Sequence, residues 1–267
     1  MTEMGDAHRA LEQNFVTHAS WIPARIASAR VHDEPSYLLV DSGLATDTFN
    51  LVCRALLDAG SARDQIARAA GHFVEVGRSF SWWVGPLDEP ADLGAHLTAA
   101  GLVAAESEAA MALRIEDLAP RAAPEELRVL RVQTPAQLGD FARVVAANWD
   151  PPDSDVLRFY DGAVSVLDPA APIRLYIGYV EDKAVATSEL CLGGGVAGLY
   201  GVATLREHRR KGYGDALTRA PLLDAQREGC RLAVLQASDD GIKVYRRMGF
   251  RVVGSYTEYK ARRDEVG

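Results

Sequence analysis

The sequence predicts an α/β fold on three observations. Between residues 127 and 260, segments with a strand's alternation interchange with segments of helical period, in the order β-α-α-β-β-β-α-β-α-β-β. Within that order, a strand at Val196–Thr204 leads through a basic turn holding two glycines into a helix. The composition, 48% apolar and 25% charged, is that of an ordinary globular chain.

The elements follow in turn. LAPRAAPEE at 118–126 carries Pro120 and Pro124 and interrupts any period, so a domain boundary is expected there, separating residues 1–120 from 125–267. LRVLRV at 127–132 alternates apolar and basic residues as a half-buried strand does. Thr134 as N-cap and Pro135 at the first helical position open a helix running to about Trp149. Residues 153–167 read as a second helix. Glu181-Asp182-Lys183 joins strands Ile173–Val180 and 184–192 as a hairpin, and Gly193-Gly194-Gly195 turns into Val196–Thr204. The helix after the basic turn runs to about Glu228 and stops at Gly229. A strand at 231–237, a short helix Asp239–Met248 and a pair of strands at 250–253 and 255–260 complete the half.

Length and charge narrow the function classes. A chain of 267 residues has room for two compact domains. No apolar run approaches the ~18–20 residues that span a bilayer, and the first residues carry acids where a signal peptide is basic and apolar, so a soluble, cytoplasmic protein without a membrane partner is expected. The net charge of −8 lies entirely in residues 1–124, which hold 9 Lys/Arg against 17 Asp/Glu; residues 125–267 hold 20 of each. An acidic first half repels phosphate backbones and argues against a nucleic-acid partner. Cys53, Cys191 and Cys230 are widely spaced and odd in number, which makes neither a disulfide framework nor a metal site, and no metal is expected.

The segment Val202-Ala203-Thr204-Leu205-Arg206-Glu207-His208-Arg209-Arg210-Lys211-Gly212-Tyr213-Gly214 carries the chemistry. Glycines let the backbone approach a ligand closely, and the free N–H groups and dipole of a helix's first turn favour an anion. Arg209, Arg210 and Lys211 add positive charge, so a phosphate or pyrophosphate site is expected. A Walker A loop is absent, and Gly212-x-Gly214 lacks the third glycine of a dinucleotide fingerprint.

Arg209-x-x-Gly212-x-Gly214 after a strand ending Val202-Ala203-Thr204 resembles the signature of the GNAT superfamily of N-acetyltransferases. Tyr245-Arg246-Arg247-Met248-Gly249-Phe250, some 30 residues on, is similar to the Y-x-x-x-G-F that closes the same fold, and the element order is the family's. The resemblance covers roughly residues 127–260. It departs at Arg206, where many relatives have proline. It implies a mixed, mostly antiparallel sheet with flanking helices, and acetyl-CoA as cosubstrate. Val202 and Thr204, either side of Ala203, are then expected along the pantetheine arm, and the amides of Arg209, Arg210, Lys211, Gly212, Tyr213 and Gly214 on the pyrophosphate. Ser238 is placed like a small polar residue that contacts the cofactor, although an N-cap role explains it equally. Tyr245 corresponds to the tyrosine that protonates the departing thiolate; packing beneath its helix is the competing explanation.

The base is left open. A lysine-like amine near pKa ~10.4 is mostly protonated at neutral pH, so its deprotonation needs assistance. Glu189 on the strand at 184–192 and Tyr200, two residues before Val202 and so expected on its face, are the candidates; each is also explicable as an ordinary strand residue. His208 is expected in the exposed turn. Trp149 and Asp150 lie where relatives wall the acceptor pocket, and Cys191 is not proposed as a nucleophile. The resemblance thus implies direct acyl transfer to a small-molecule or peptide amine. A non-catalytic acyl-CoA-binding protein and an acyltransferase using aminoacyl-tRNA stay open beside it, as does the oligomeric state.

Residues 80–113 echo the C-terminal ending. A strand and turn at 81–86, a helix at 92–100 and strands entered at Gly101 and at 109–115 are expected; aligning Gly101-Leu102 on Gly249-Phe250 sets Leu97 against Tyr245. Residues 62–77 hold no RxxGxG equivalent. A degenerate GNAT-like N-terminal α/β domain, bracing the catalytic half or capping its acceptor cleft, is the expectation; an unrelated α/β domain is the alternative. Trp21, Trp82 and Trp83 are expected in packing.

Overall fold

The computed structural model describes residues 3–261. The first half runs α1 (Glu3–Trp21), a 3-10 turn (Pro23–Arg25), β1 (Arg30–Asp33), β2 (Leu38–Asp41), β3 (Leu51–Cys53), α2 (Ala62–Glu75), β4 (Ser81–Val84), α3 (Leu93–Ala99) and β5 (Leu102–Arg114). The second half runs β6 (Leu127–Arg131), α4 (Pro135–Ala146), α5 (Ser154–Gly162), β7 (Ile173–Val180), β8 (Lys183–Gly193), β9 (Val196–Thr204), α6 (Tyr213–Arg227), β10 (Leu232–Ala237), α7 (Asp239–Met248) and β11 (Arg251–Ala261). Local signals act where expected. Thr134 accepts the N–H of Gln137 with Pro135 opening α4, and Asp153 caps α5 through the N–H of Asp155. Among the described residues no helix is long and apolar enough to cross a membrane.

All the strands join one mixed sheet in the order β1-β2-β3-β4-β11-β5-β10-β9-β8-β7-β6. The halves follow the same plan. β3–β4 and β9–β10 are the parallel pairs, and α2 and α3 stand in the first half where α6 and α7 stand in the second. Each half's last strand lies beside the other half's parallel strand: β5 pairs with β10, β11 pairs with β4, and the two pair with each other from Arg251↔Ala112 to Ala261↔Leu102. The connection at 118–126 crosses from β5 to β6, and Arg219 of α6 donates to the carbonyl of Ala119.

This exchange corrects two expectations. The strands expected separately at 101–103 and 109–115 are one strand, β5, and the pair at 250–253 and 255–260 is one strand, β11, with a register shift between Val252 and Gly254. Neither needs a hairpin partner of its own, because the other half supplies the neighbour. In addition, the helix expected at 153–167 breaks at Ala163 into α5 and a 3-10 turn, Val164–Leu167. The helix expected to reach Trp149 ends at Ala146, just before the bend at Asp150-Pro151.

Apolar side chains pack on both sheet faces. Tyr213, Leu217 and Leu222 of α6 meet Leu190, Leu199 and Leu235 on one face. On the other, Leu11 and Phe15 of α1 join Val40 and Leu51 of the first half to Val196 and Val234 of the second. Such a shared core gives the halves one packed interior. Trp82 is fully buried, and Trp83 packs edge-on against Phe15. Cys53 and Cys191 are buried, and burial pushes both thiols up.

Candidate functional site

The parallel pairing of β9 with β10 is short. Only Ala197, Gly198 and Leu199 face Ala233, Val234 and Leu235, so residues 200–204 of β9 diverge from β10 and leave a cleft between the strands. β9 also carries an extra residue here. Glu189↔Tyr200 is followed by Thr187↔Ala203, and Gly201 takes φ +54°, a left-handed value that suits glycine. The bulge reverses the alternation, so Tyr200 shares its face with Ala203, while Val202 and Thr204 face α6. Tyr200 and Val202 were expected on one face; the bulge puts them on opposite ones.

At the far end of β9, the turn builds a cavity of about 750 Å³ lined by Thr204, His208, Arg209, Arg210, Gly212 and Gly214, with Arg121, Arg219 and Arg247 at its rim. Arg210 (φ +62°) and Gly212 (φ +86°) are both left-handed, which turns the chain sharply into α6. The first helical hydrogen bond is donated by Ala216 to Gly212, so the amides of Tyr213, Gly214 and Asp215 have no helical acceptor. Asp215, an acid in this first turn, is engaged by Arg219 at 2.6 Å. Arg209 folds back onto the carbonyl of Thr204 at 3.1 Å. Lys211 is exposed and does not line the cavity, whereas Tyr213 turns its side chain into the core and donates its hydroxyl to Glu126. His208, expected in an exposed turn, is half-buried, with Nδ1 covered and without a partner. Free amides and guanidinium groups around one cavity fit a phosphate or pyrophosphate.

Tyr245 reaches from α7 towards α6, where its hydroxyl meets Thr218, and its ring packs edge-on against Phe250. Burial pushes its phenol up to about 12, so it keeps its proton through the neutral range. Ser238 occupies the N-cap of α7, but its side chain makes no capping bond. A Cβ at Gly241 would come within 3.3 Å of the Tyr245 ring and 3.5 Å of the Ser238 hydroxyl, which locates the two side chains together at the end of β10.

Glu189 and Tyr200 lie on the opposite face. Glu189 is 2% exposed, and its Oε1 is 2.6 Å from Nδ1 of His18 on α1. The His18 ring stacks on Tyr200 at 3.7 Å, and Tyr200 donates its hydroxyl to Asn14 at 2.8 Å. Beside them is a cavity of about 220 Å³ walled from the first half by Ile22 and Phe49 and from the second by Val145, Trp149, Phe159 and Tyr160. Trp149 lines this cavity, and Asp150 is not among the lining residues. Gly201 lines this cavity and Thr204 the cationic one, so three residues of β9, about 10 Å of strand, link the two.

Asn14, His18 and Phe49 were not singled out from the sequence. The signal was there for the first two: they stand four apart on a helix whose apolar residues Leu11, Phe15 and Ala19 mark the buried side, so two polar groups accompany a packed face. Phe49 lies in a loop with no pattern.

The first half lacks the equivalent opening. β3 and β4 also pair briefly, at Leu51↔Ser81 and Val52↔Trp82. Beyond them, Ala55 N–H donates to Asp88 Oδ1, Leu57 N–H to the Glu89 carbonyl, and Glu89 N–H to the Ala55 carbonyl. The segment after β4 thus closes the gap that stays open between β9 and β10. Leu97, aligned with Tyr245, is fully buried.

Residues 171–252 match the model of the acetyltransferase (GNAT) domain. No curated protein matches the chain. Among solved structures, the fold is similar to a GCN5-related N-acetyltransferase from Kribbella flavida (18% identity, 95% of this chain and 97% of that one, TM-score 0.70). It is similar also to a functionally unknown conserved protein from Staphylococcus epidermidis (13% identity, 87% and 94%, TM-score 0.65). A third likeness is to a tandem GNAT protein from the clavulanic acid biosynthesis pathway (14% identity, 98% and 96%, TM-score 0.61).

Proposed function

From the premise that this chain carries a GNAT acetyltransferase domain, we propose that it is an acyl-CoA-dependent N-acyltransferase, with acetyl-CoA as donor and an amine of a small molecule or peptide as acceptor. The observation that carries the reading is the stretch Gly201–Thr204 of β9, with a cationic cavity at one end and an apolar cavity holding Glu189 at the other. The donor's pyrophosphate rests on the amides of Gly212, Tyr213 and Gly214 with Arg209 and Arg210 alongside. Its pantetheine arm runs along Val202, Ala203 and Thr204 in the cleft where β9 parts from β10. The thioester then stands between Tyr245 and the acceptor cavity.

The amine attacks the thioester carbonyl, backbone N–H groups at the β9 bulge stabilise the oxyanion, and Tyr245 protonates the departing thiolate. Glu189 and Tyr200 belong to the acceptor side, where deprotonation takes place. The acidic first half contributes acceptor-cavity walls through Ile22 and Phe49, and its own closed cleft fits a degenerate repeat that no longer takes a donor. Thiol release from acetyl-CoA, followed with a chromogenic disulfide over a panel of amines, tests the reading. Amine-dependent release supports it; tight binding of acetyl-CoA without release from any amine makes the chain a binding protein instead.

A further inference from the structure

The cluster His18–Glu189–Tyr200 asks which group removes the acceptor's proton. A carboxylate only accepts, so the 2.6 Å contact from Glu189 Oε1 puts the proton of a neutral His18 on Nδ1 and leaves the lone pair on Nε2. The ring is held in that pose three ways: by Glu189, by the parallel face of Tyr200 at 3.7 Å and 2°, and, through the hydroxyl of Tyr200, by Asn14. Glu189 is 3% exposed at its side chain against 29% for His18, so the imidazole is the partner that meets the cavity more openly. His18 meets Glu189 and Tyr200, and Tyr160, Tyr200 and Cys191 in turn lie near enough to Glu189 to feel its charge; burial above all raises these three, which keeps them neutral.

The rest of the cavity carries no second charge. Ile22, Phe49, Val145, Trp149, Phe159 and Tyr160 supply apolar and aromatic surface, and Phe49 stacks on Phe159 at 3.8 Å. A second ammonium of a polyamine or aminoglycoside finds no carboxylate here, and burying it unpaired is costly.

Resting on the acyltransferase reading above, the geometry assigns to His18, positioned by Glu189, the removal of the acceptor's proton, and to this cavity a monoamine carried on a compact, ring-bearing apolar body. His18 Nε2 takes one proton from the ammonium and later releases it to solvent. The freed nitrogen adds to the thioester carbonyl to form the C–N bond, and collapse of the oxyanion then breaks the C–S bond. Tyr245 gives its proton to the thiolate, and the second proton lost from nitrogen restores the phenol.

The test compares thiol release by wild type, His18→Gln and Glu189→Gln, each first checked for acetyl-CoA binding, with 2-phenylethylamine, hexylamine and spermidine as probes. We expect 2-phenylethylamine to exceed spermidine in kcat/KM by at least about tenfold. His18→Gln should lower kcat by about 10²-fold and flatten the acid limb of the pH–rate profile, with acetyl-CoA affinity unchanged. Glu189→Gln should lower kcat less and keep that limb. Spermidine as the better substrate, or a His18→Gln enzyme within threefold of wild type, overturns this inference while leaving the acyltransferase reading intact. If His18→Gln fails to bind acetyl-CoA, the amine preference of wild type decides alone. No release from any amine by wild type overturns both.

Discussion

Asn14 of α1 accepts the hydroxyl of Tyr200 at 2.8 Å while its amide nitrogen donates to the carbonyls of Cys191, Gly193 and Val196. One fully buried side chain thus ties a helix of the first half to the turn joining β8 and β9 in the second. The fit is close: a Cβ at Gly198 would fall 1.8 Å from Asn14 Oδ1. The position of α1 on β8 and β9 therefore follows from polar pairing as well as from apolar burial, and the His18 ring inherits its place from it.

Asn14→Ala strips three carbonyls and one hydroxyl of their partner inside the core. The two N–H groups of the amide are shared among the three carbonyls, so the side chain sustains three full hydrogen bonds, and at about 1 kcal/mol each the loss is about 3 kcal/mol. Urea unfolding should show the midpoint falling with an unchanged slope. Gly198→Ala should destabilise by a similar amount, because the added methyl needs the space Asn14 fills.

Tyr245→Phe keeps the packing against Phe250 and removes only the hydroxyl. Steady-state kinetics should give a kcat about 10²-fold lower with the KM for acetyl-CoA within twofold of wild type. Because the phenol is held up to about 12, wild type should lose no rate through Tyr245 across the neutral and mildly alkaline range. An equal loss of binding and rate would make the residue structural.

Glu108 sits where β5 meets β11. Burial first, then Glu106 and Glu258, raise its carboxyl to about 7. The folded state thus binds a proton that the unfolded chain, near pKa ~4.3, has already released. That contribution is complete below the unfolded value and is lost as pH rises from there through about 7. Glu108→Gln should remove this slope, leaving the variant more stable than wild type at alkaline pH by thermal melting. A variant with the wild-type pH dependence contradicts the assignment.

The second half was legible because its signals are local. The Thr134–Pro135 cap, the Glu181–Asp182 turn and the glycine turn into α6 each act within a few residues, and β7 and α7 lie where the pattern set them. The exchange of β5 and β11 was not legible, since strand partners are chosen across more than a hundred residues and alternation names no neighbour. Gly201 carried a weak warning, as a glycine inside a strand often marks a bulge, and missing it put Tyr200 on the face of Val202. The cationic turn was readable from Arg209 to Gly214. The acceptor cavity was not, because His18 and Phe49 reach it only through the fold.

Calorimetric titration of acetyl-CoA into wild type and Gly212→Asp tests the donor site most directly. At φ +86°, Asp is strained and brings a negative charge to the amides that receive the pyrophosphate. We expect micromolar binding by wild type and at least a tenfold loss, about 1.4 kcal/mol, in the variant. Equal binding by the two proteins, or none by wild type, contradicts a donor site at the turn between β9 and α6.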